Sequence, residues 1–122
     1  MRQIYQLIGK QGCRETRKAE RFMRERGIDF SFVDLEKRDL SPGELKSIME
    51  SIPPDDLLDR NSRQFDKRGL KYMDFDPVEE ISADQKLIIT PLLRIKNRAI
   101  AGFDETEYKK FLSLNAGPEG KK

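Results

Sequence analysis

The chain has 122 residues, enough for one domain with a single modest hydrophobic core. Its 24 Lys and Arg against 22 Asp and Glu give a net charge of +2, which does not favour direct nucleic acid binding by bulk electrostatics. One cysteine and no histidine exclude an internal disulfide, zinc sites of the Cys/His type and nucleophile pairs that need a histidine. With no signal-like or membrane-length apolar run, we expect a cytoplasmic protein that makes no membrane contact.

The first third of the chain predicts a strand, a helix and a second strand. Residues 2–8 are a short apolar segment, and residues 29–35 alternate as a strand does. Between them, residues 13–26 predict a helix that ends at Gly27. Its apolar positions recur at helical spacing: Thr16, Ala19, Phe22 and Met23. This order predicts two parallel strands joined by a right-handed crossover.

A second helix begins with two start signals. Ser41 can cap it, Pro42 suits the first helical position, and Glu44 completes a capping box. The prolines at 53 and 54 end it. Its expected buried stripe is Leu45, Ile48, Met49 and Ile52.

The stretch 55–86 is the least regular, and we predict several short helices there. Asp76 followed by Pro77 marks one helix start. The side chains expected to face inward from this part are Val78, Ile81 and Leu87.

The last third predicts a hairpin followed by a helix. The apolar run 87–95 is interrupted by Pro91, which marks a strand start; residues 96–98 form the turn and 99–103 the partner strand. Asp104 caps the last helix, with Glu107 at its third position. The apolar face of that helix is expected to be Tyr108, Phe111 and Leu112. This order of elements is typical of one small mixed sheet covered by helices.

Cys13 is the candidate reactive residue, because it lies where a strand and a glycine-rich loop give way to a helix. The free N–H groups and the dipole of a helix N-terminus favour a thiolate there. Arg14, Arg17 and Lys18 add positive charge nearby. The alternative interpretation is that Cys13 is a small buried hydrophobic residue that happens to be unpaired.

Four segments, in register over about residues 3–112, resemble one known family. Residues 13–19 look like C-x-x-[STC]-[RK]-K-A, and 87–93 look like L-I-x-R-P-[LI]-[LI]. Residues 61–65 fall at a T-R-[SG]-x-x-[FW] motif, and 101–112 match the closing G-[FY]-x₄-[YI]-x₂-F-L pattern. The chain thus resembles the arsenate reductase (ArsC) family, with its Spx-type and YffB-type relatives.

The resemblance implies a thioredoxin-like α/β fold, in which a mixed four-stranded sheet carries an inserted helical subdomain. The expected single domain covers residues 1–114. Its thioredoxin-like core would comprise about 1–52 and 87–114, and the helical insert about 53–86. Residues 115–122 would form a flexible tail.

The resemblance also implies a mechanism in which Cys13 is the nucleophile and glutathione resolves the adduct. Arg17 and the helix N-terminus would stabilise the thiolate, Thr16 would hydrogen-bond the sulfur, and a cis Pro91 would shape the adjoining groove. We expect no bound cofactor or metal, with glutathione as co-substrate or glutaredoxin as partner, and a monomer. The candidate substrate-binding residues are Gly12, Arg14, Arg60, Asn61, Thr90, Pro91 and Arg94.

The sequence departs from the family at the arginines that would hold an oxyanion. Thr90 precedes the proline where relatives have arginine, Asn61 stands at the insert position, and Phe103 follows the last strand. Arg60 lies one residue from the insert position, and Arg14, Arg17, Arg94 or Arg98 could partly substitute for the missing arginines. Because each lost charge-assisted donor costs about 1.5–3 kcal/mol, we expect arsenate to be a poor substrate.

Two other functions stay open at this stage. An Spx-like binding module would contact RNA polymerase without catalysis, although Thr16 occupies the position of the second cysteine in a C-x-x-C switch. A degenerate member of the family would retain Cys13 as a relic.

Overall fold

The computed structural model describes residues 4–115. Four strands, β1 to β4, and six helices, α1 to α6, make up this part of the chain. In order they are β1 Tyr5–Gly9, α1 Arg14–Glu25, β2 Phe30–Asp34, α2 Pro42–Ser51, α3 Pro54–Leu57, α4 Arg63–Lys67, α5 Pro77–Ala83, β3 Leu92–Ile95, β4 Arg98–Ala101 and α6 Glu105–Asn115. Short 3-10 turns cover Leu70–Tyr72 and Gln85–Leu87. No helix within the described residues is long and apolar enough to cross a membrane.

The four strands form one mixed sheet in the order β2-β1-β3-β4. β1 pairs in parallel with β2, as the strand–helix–strand order predicts. β1 and β3 are antiparallel, and so are β3 and β4. The predicted thioredoxin-like α/β fold with a mixed four-stranded sheet is therefore confirmed.

α1 begins and ends where its sequence signals lie. Cys13 occupies the N-cap position, with extended backbone angles. At the other end Gly27 has a φ of +67°, a conformation that favours glycine. The amide of Ile28 donates to the carbonyl of Met23 at 3.0 Å, which closes the helix with a Schellman pattern.

α2 begins with the predicted capping box. The amide of Glu44 donates to the Ser41 hydroxyl at 3.1 Å, and the amide of Ser41 donates to the Glu44 carboxylate at 2.8 Å. That carboxylate also accepts from Gln6 on β1 and from Arg38. Partial burial opposes its ionisation, but the hydrogen bonds from Arg38, Gln6 and Ser41 prevail and hold the pKa of Glu44 at about 2.

α2 also covers the free edge of β4. The Ser51 hydroxyl donates to the carbonyl of Ala99 at 3.0 Å and accepts from its amide at 2.9 Å. Ser47 donates to the carbonyl of Lys96, at the turn before β4, at 2.7 Å. These side chains satisfy backbone groups that no further strand pairs with among the described residues.

The sheet separates two hydrophobic clusters. Successive residues of β1 point to opposite faces, so Leu7 packs with α1 and α6 while Ile8 packs with α2 and the short helices. The cluster around Ile8 contains side chains from the predicted insert and from the segment that follows it: Leu57, Leu58, Phe65, Leu70 and Ile81 from the insert, and Leu87 and Ile88 after it. The helical segment and one sheet face thus share a core, while the domain limits given above stay a prediction.

Several sequence-based limits were wrong in detail. Arg98 belongs to β4 and pairs with Ile95, so the turn contains only Lys96 and Asn97. A two-residue turn demands positive φ, and Lys96 supplies it at 55°. Val78 is 42% exposed rather than inward-facing, because it lies in the first turn of α5, and burial in this helix begins only at Ile81, one turn later.

The observed limits of the strands β1, β3 and β4 also differ from expectation. The first strand begins at Tyr5, and the apolar segment before Pro91 contributes only an isolated bridge between Ile88 and Leu58. β4 ends at Ala101, two residues before the predicted limit. Asn115 is the last residue of α6, and the rest of the predicted tail lies outside the described residues.

Tyr108 supplies a test of core packing, because its hydroxyl is buried and has no hydrogen-bond partner within the described structure. Its ring packs edge-on against Phe22 and Phe103. We expect Tyr108→Phe to leave stability unchanged or raise it by up to about 1 kcal/mol, since it removes only an unsatisfied polar group. Tyr108→Ala should cost about 3–5 kcal/mol. Urea denaturation measures both, and a large loss for the phenylalanine variant would reveal a hidden partner of the hydroxyl.

Glu44 should make stability depend on pH. Because folding lowers its pKa from 4.5 to about 2, its contribution is complete above 4.5 and disappears as the pH falls through 2. We expect Glu44→Gln to lose roughly 2 kcal/mol at neutral pH, less than the full shift implies because Arg38 is half-exposed. The difference from the parent should shrink in denaturation curves measured toward pH 2. Glu50→Gln, at an exposed position of α2, is the control and should leave the denaturation curves close to those of the parent.

Candidate active site

The candidate site lies at the carboxyl end of β1, where the chain turns into α1. The amide of Cys13 donates to the carbonyl of Lys10 at 3.0 Å, which closes the connecting turn. The thiol is partly exposed. The predicted position of Cys13, at a helix N-terminus and in reach of solvent, is therefore confirmed.

Thr90 contacts the sulfur from a segment distant in the sequence. Its hydroxyl donates to Sγ of Cys13 at 3.5 Å, and that sulfur lies 3.9 Å from the carbonyl oxygen of Thr90. The Thr90–Pro91 peptide is cis, as predicted. The carbonyl of the buried Pro91 accepts from the amide of Gly102 at 2.7 Å, which ties this segment to the end of β4.

Thr16 is completely buried beneath the first turn of α1. Its Oγ1 accepts from the amide of Lys10 at 3.4 Å, so its own proton can be donated to the sulfur of Cys13. Gly9 makes room for it, since a Cβ at that position would lie 2.5 Å from Thr16 Oγ1 and Cγ2. Sequence reasoning treated Gly9 only as part of a loop, because nothing local indicates which side chain packs against it.

Opposing effects set the protonation of the thiol. Burial acts to raise the pKa of Cys13, but the hydroxyls of Thr16 and Thr90 and the amides of Thr16 and Glu15 stabilise the thiolate. The hydrogen bonds prevail, so the pKa lies below its ordinary value. The site is built to hold a sulfur anion with neutral donors.

The basic residues around Cys13 make other contacts. The guanidinium of Arg17 donates to the carbonyl of Gln11 at 3.0 Å, and Lys18 pairs with Glu15 at 3.2 Å. Arg14 and Gly12 are exposed, with open space around the glycine. Arg17 was expected to stabilise the thiolate. The hydrogen bonds that lower the pKa of Cys13 come instead from the threonine hydroxyls and the backbone amides.

Comparison with known proteins was informative only at the level of structure. No family model matches the chain, and no curated protein sequence matches it. A solved protein named YffB is 23% identical, with a TM-score of 0.76 over 87% of this chain and 96% of its own. An ArsC-related protein from Brucella melitensis is 23% identical, with a TM-score of 0.66 over 91% and 96%. An arsenate reductase from Vibrio cholerae is 12% identical, with a TM-score of 0.72 over 93% and 99%.

This chain has the fold of the ArsC-related proteins. The resemblance seen in the sequence is therefore confirmed as a resemblance of fold. Since these identities lie below 25%, the likeness shows the fold alone, and the reductase activity of the Vibrio cholerae protein does not carry over to this chain.

Arg60 and Asn61, predicted to bind substrate, lie away from the sulfur. The segment preceding them runs antiparallel to the one leading to Thr90, with Ile89 donating to Leu57, so it carries them in the opposite direction. Arg60 pairs with Asp55 at 3.1 Å. Its guanidinium lies over the rings of Phe65 and Phe75, beside a cavity of about 560 Å³ that Asn61 also lines.

Arg94 was also expected near the substrate, and its described hydrogen bonds join it to other parts of the fold. Its guanidinium donates to Gln6 at 2.7 Å and to Ser47 at 3.3 Å, on the α2 side of the sheet. The alternation of β3 places it there, because its neighbour Leu93 faces α1. Arg94 thus binds the sheet to α2.

Phe103 stands at the remaining position where the resemblance implies an arginine. The ring packs against Phe22 at 5.7 Å and Tyr108 at 4.9 Å, so it belongs to the core beneath α1. Among the described residues no group of acidic residues or cysteine is arranged to hold a metal ion. Cys13 is left with two threonines and the helix N-terminus as its chemical surroundings.

We expect Thr90→Val to raise the pKa of Cys13, because it removes the hydroxyl that donates to the sulfur. A hydrogen bond to a charged group contributes about 1.5–3 kcal/mol, less at a partly exposed site. Alkylation at neutral pH should therefore slow by on the order of tenfold or less. The measurement is the alkylation rate against pH.

Thr90→Ser is the matched control, since it keeps the hydroxyl and should keep the parent profile. An equal slowing in the serine variant, which keeps the hydroxyl, would contradict the assignment of the effect to the hydrogen bond.

Proposed function

We propose that this protein is an arsenate reductase-like thiol oxidoreductase that uses Cys13 as its single nucleophile. An external thiol such as glutathione, alone or through glutaredoxin, completes the cycle. The observation that carries this proposal is the hydrogen bonding of Sγ, which favours a thiolate at a partly exposed helix N-terminus.

The proposed reaction is thiol–disulfide exchange. The Cys13 thiolate attacks one sulfur of a substrate disulfide, a new S–S bond forms, and the other sulfur leaves as a thiolate that takes a proton from water. A glutathione thiolate then attacks the Cys13 sulfur of the mixed disulfide. This step releases the second substrate thiol and leaves Cys13 glutathionylated. A further glutathione attacks the glutathionylated Cys13, so two glutathione molecules are oxidised to one disulfide and Cys13 returns as thiolate.

The surroundings of the sulfur suit a disulfide better than an oxyanion. A tetrahedral oxyanion needs several charged, planar donors, which arginine supplies. Thr90 and Phe103 offer no charge, and Arg94 is bound to Gln6 and Ser47. Arg60 is paired with Asp55. We therefore propose that arsenate itself is turned over poorly.

The test combines two assays on the purified protein. We expect Cys13 to react with glutathione disulfide or dithiodipyridine faster than free cysteine does at neutral pH, because more of it is thiolate. A coupled glutathione–glutaredoxin assay should show arsenate reduction near background. Cys13→Ser is the control for both assays and should abolish the thiol reaction.

Thr90→Arg should recover part of the arsenate binding, since it restores one charged donor beside the sulfur. Robust arsenate turnover by the unmodified protein would contradict the inference about the missing arginines. A trapping rate equal to that of free cysteine would contradict the thiol oxidoreductase and favour a binding role instead.

A further inference from the structure

The solvent face of α1 carries a line of arginines that begins beside the reactive cysteine. We call Arg14, Arg17 and Arg21 the basic stripe. They are exposed and stand at positions i, i+3 and i+7, within an arc of about 60° on the helix surface. The stripe runs from the turn that holds Cys13 toward the middle of the helix.

Local acidic residues leave the charge of this stripe unneutralised. Within the described residues no ion pair forms to any of its three guanidinium groups. The other cations of α1 are paired, Lys18 with Glu15 and Arg24 with Glu20, each at 3.2 Å. The free charge is thus concentrated on one side of the helix, with exposed Glu25 as the acid at its far end.

We propose that the basic stripe docks an acidic segment of a disulfide-bearing protein substrate and so presents that disulfide to Cys13. This inference rests on the function proposed above. The occupant of the stripe is a protein because any ligand bound there lies beside Cys13, whose proposed substrates are disulfides. The chain's net charge of only +2 gives no broad field for a nucleic acid.

The geometry sets where the acidic residues must lie. Arg21 is eight residues beyond Cys13, which is roughly 12 Å along a helix. An extended peptide covers that distance in about four residues. Recognition should therefore depend on Asp or Glu within about four positions of the substrate cysteine, and more distant acids should contribute little once salt screens them.

The test uses two peptides of equal length, each with a central cysteine disulfide-linked to the neutral chromophore 4-thiopyridine. One carries Asp and Glu around the cysteine, and the other carries Asn and Gln. When the Cys13 thiolate attacks the peptide sulfur, the S–S bond to thiopyridine breaks and thiopyridone leaves, taking a proton from water. Its absorbance gives the rate, and the rate with mercaptoethanol corrects for the intrinsic reactivity of each peptide.

We expect the corrected rate for the acidic peptide to exceed that for the neutral one by on the order of tenfold at low salt. The preference should vanish toward about 1 M salt. Arg21→Glu should remove it without changing the rate for the neutral peptide, because Arg21 is a full two turns from the sulfur. Lys46→Glu, an equal charge change on exposed α2, should leave it intact.

The outcomes separate the two proposals. If neither peptide reacts faster with Cys13 than with a free thiol, the proposed thiol oxidoreductase function is itself wrong. If both react rapidly and equally, Cys13 is active but the docking inference fails. A preference that survives Arg21→Glu, or an Arg21-dependent affinity for an oligonucleotide or anionic vesicle without peptide preference, would also overturn the inference.

Discussion

The buried side chain of Thr16 holds the parts of the site together. Its methyl group and hydroxyl fit against Gly9, where a Cβ would lie 2.5 Å away, so the start of α1 sits directly on the end of β1. The same hydroxyl accepts the amide of Lys10 and thereby fixes the turn that carries the sulfur. If this contact were lost, Cys13 would no longer be positioned under the hydroxyl of Thr90, which reaches it from a segment 77 residues away.

The protein separates two tasks that arginine can perform together. Stabilising a thiolate requires only donors aimed at one atom, and hydroxyls with helix amides supply them. Gripping an oxyanion requires several charged groups that converge. Two of the candidate arginines join structural elements instead: Arg94 links the sheet to α2, and Arg60 lies over two aromatic rings. The result is an activated, partly exposed sulfur on which no set of charged groups converges within the described residues.

Local signals in the sequence predicted most of the fold. The capping box at Ser41 and the left-handed glycine after α1 are decided within a few residues, so pattern reasoning finds them, whereas the cis proline beside the thiol was expected from the family resemblance. The position of Cys13 follows from the same kind of signal. The direction of a charged side chain does not. Arg94 and Arg60 look equally available in the sequence, and only the alternation of β3 and the antiparallel course before Arg60 assign them elsewhere. Gly9 likewise has no visible role until Thr16 is packed against it.

The hydroxyl of Ser51 acts toward β4 as a missing strand would, since it both donates to and accepts from Ala99. The edge of β4 is therefore protected from pairing with another strand by a helix rather than by charged residues or proline. The edge of β2, at the other side of the sheet, has no such cover in the described part of the chain. In the order β2-β1-β3-β4 the edge of β2 lies opposite the one that α2 covers, so among the described residues β2 presents the edge that a strand of another copy could extend.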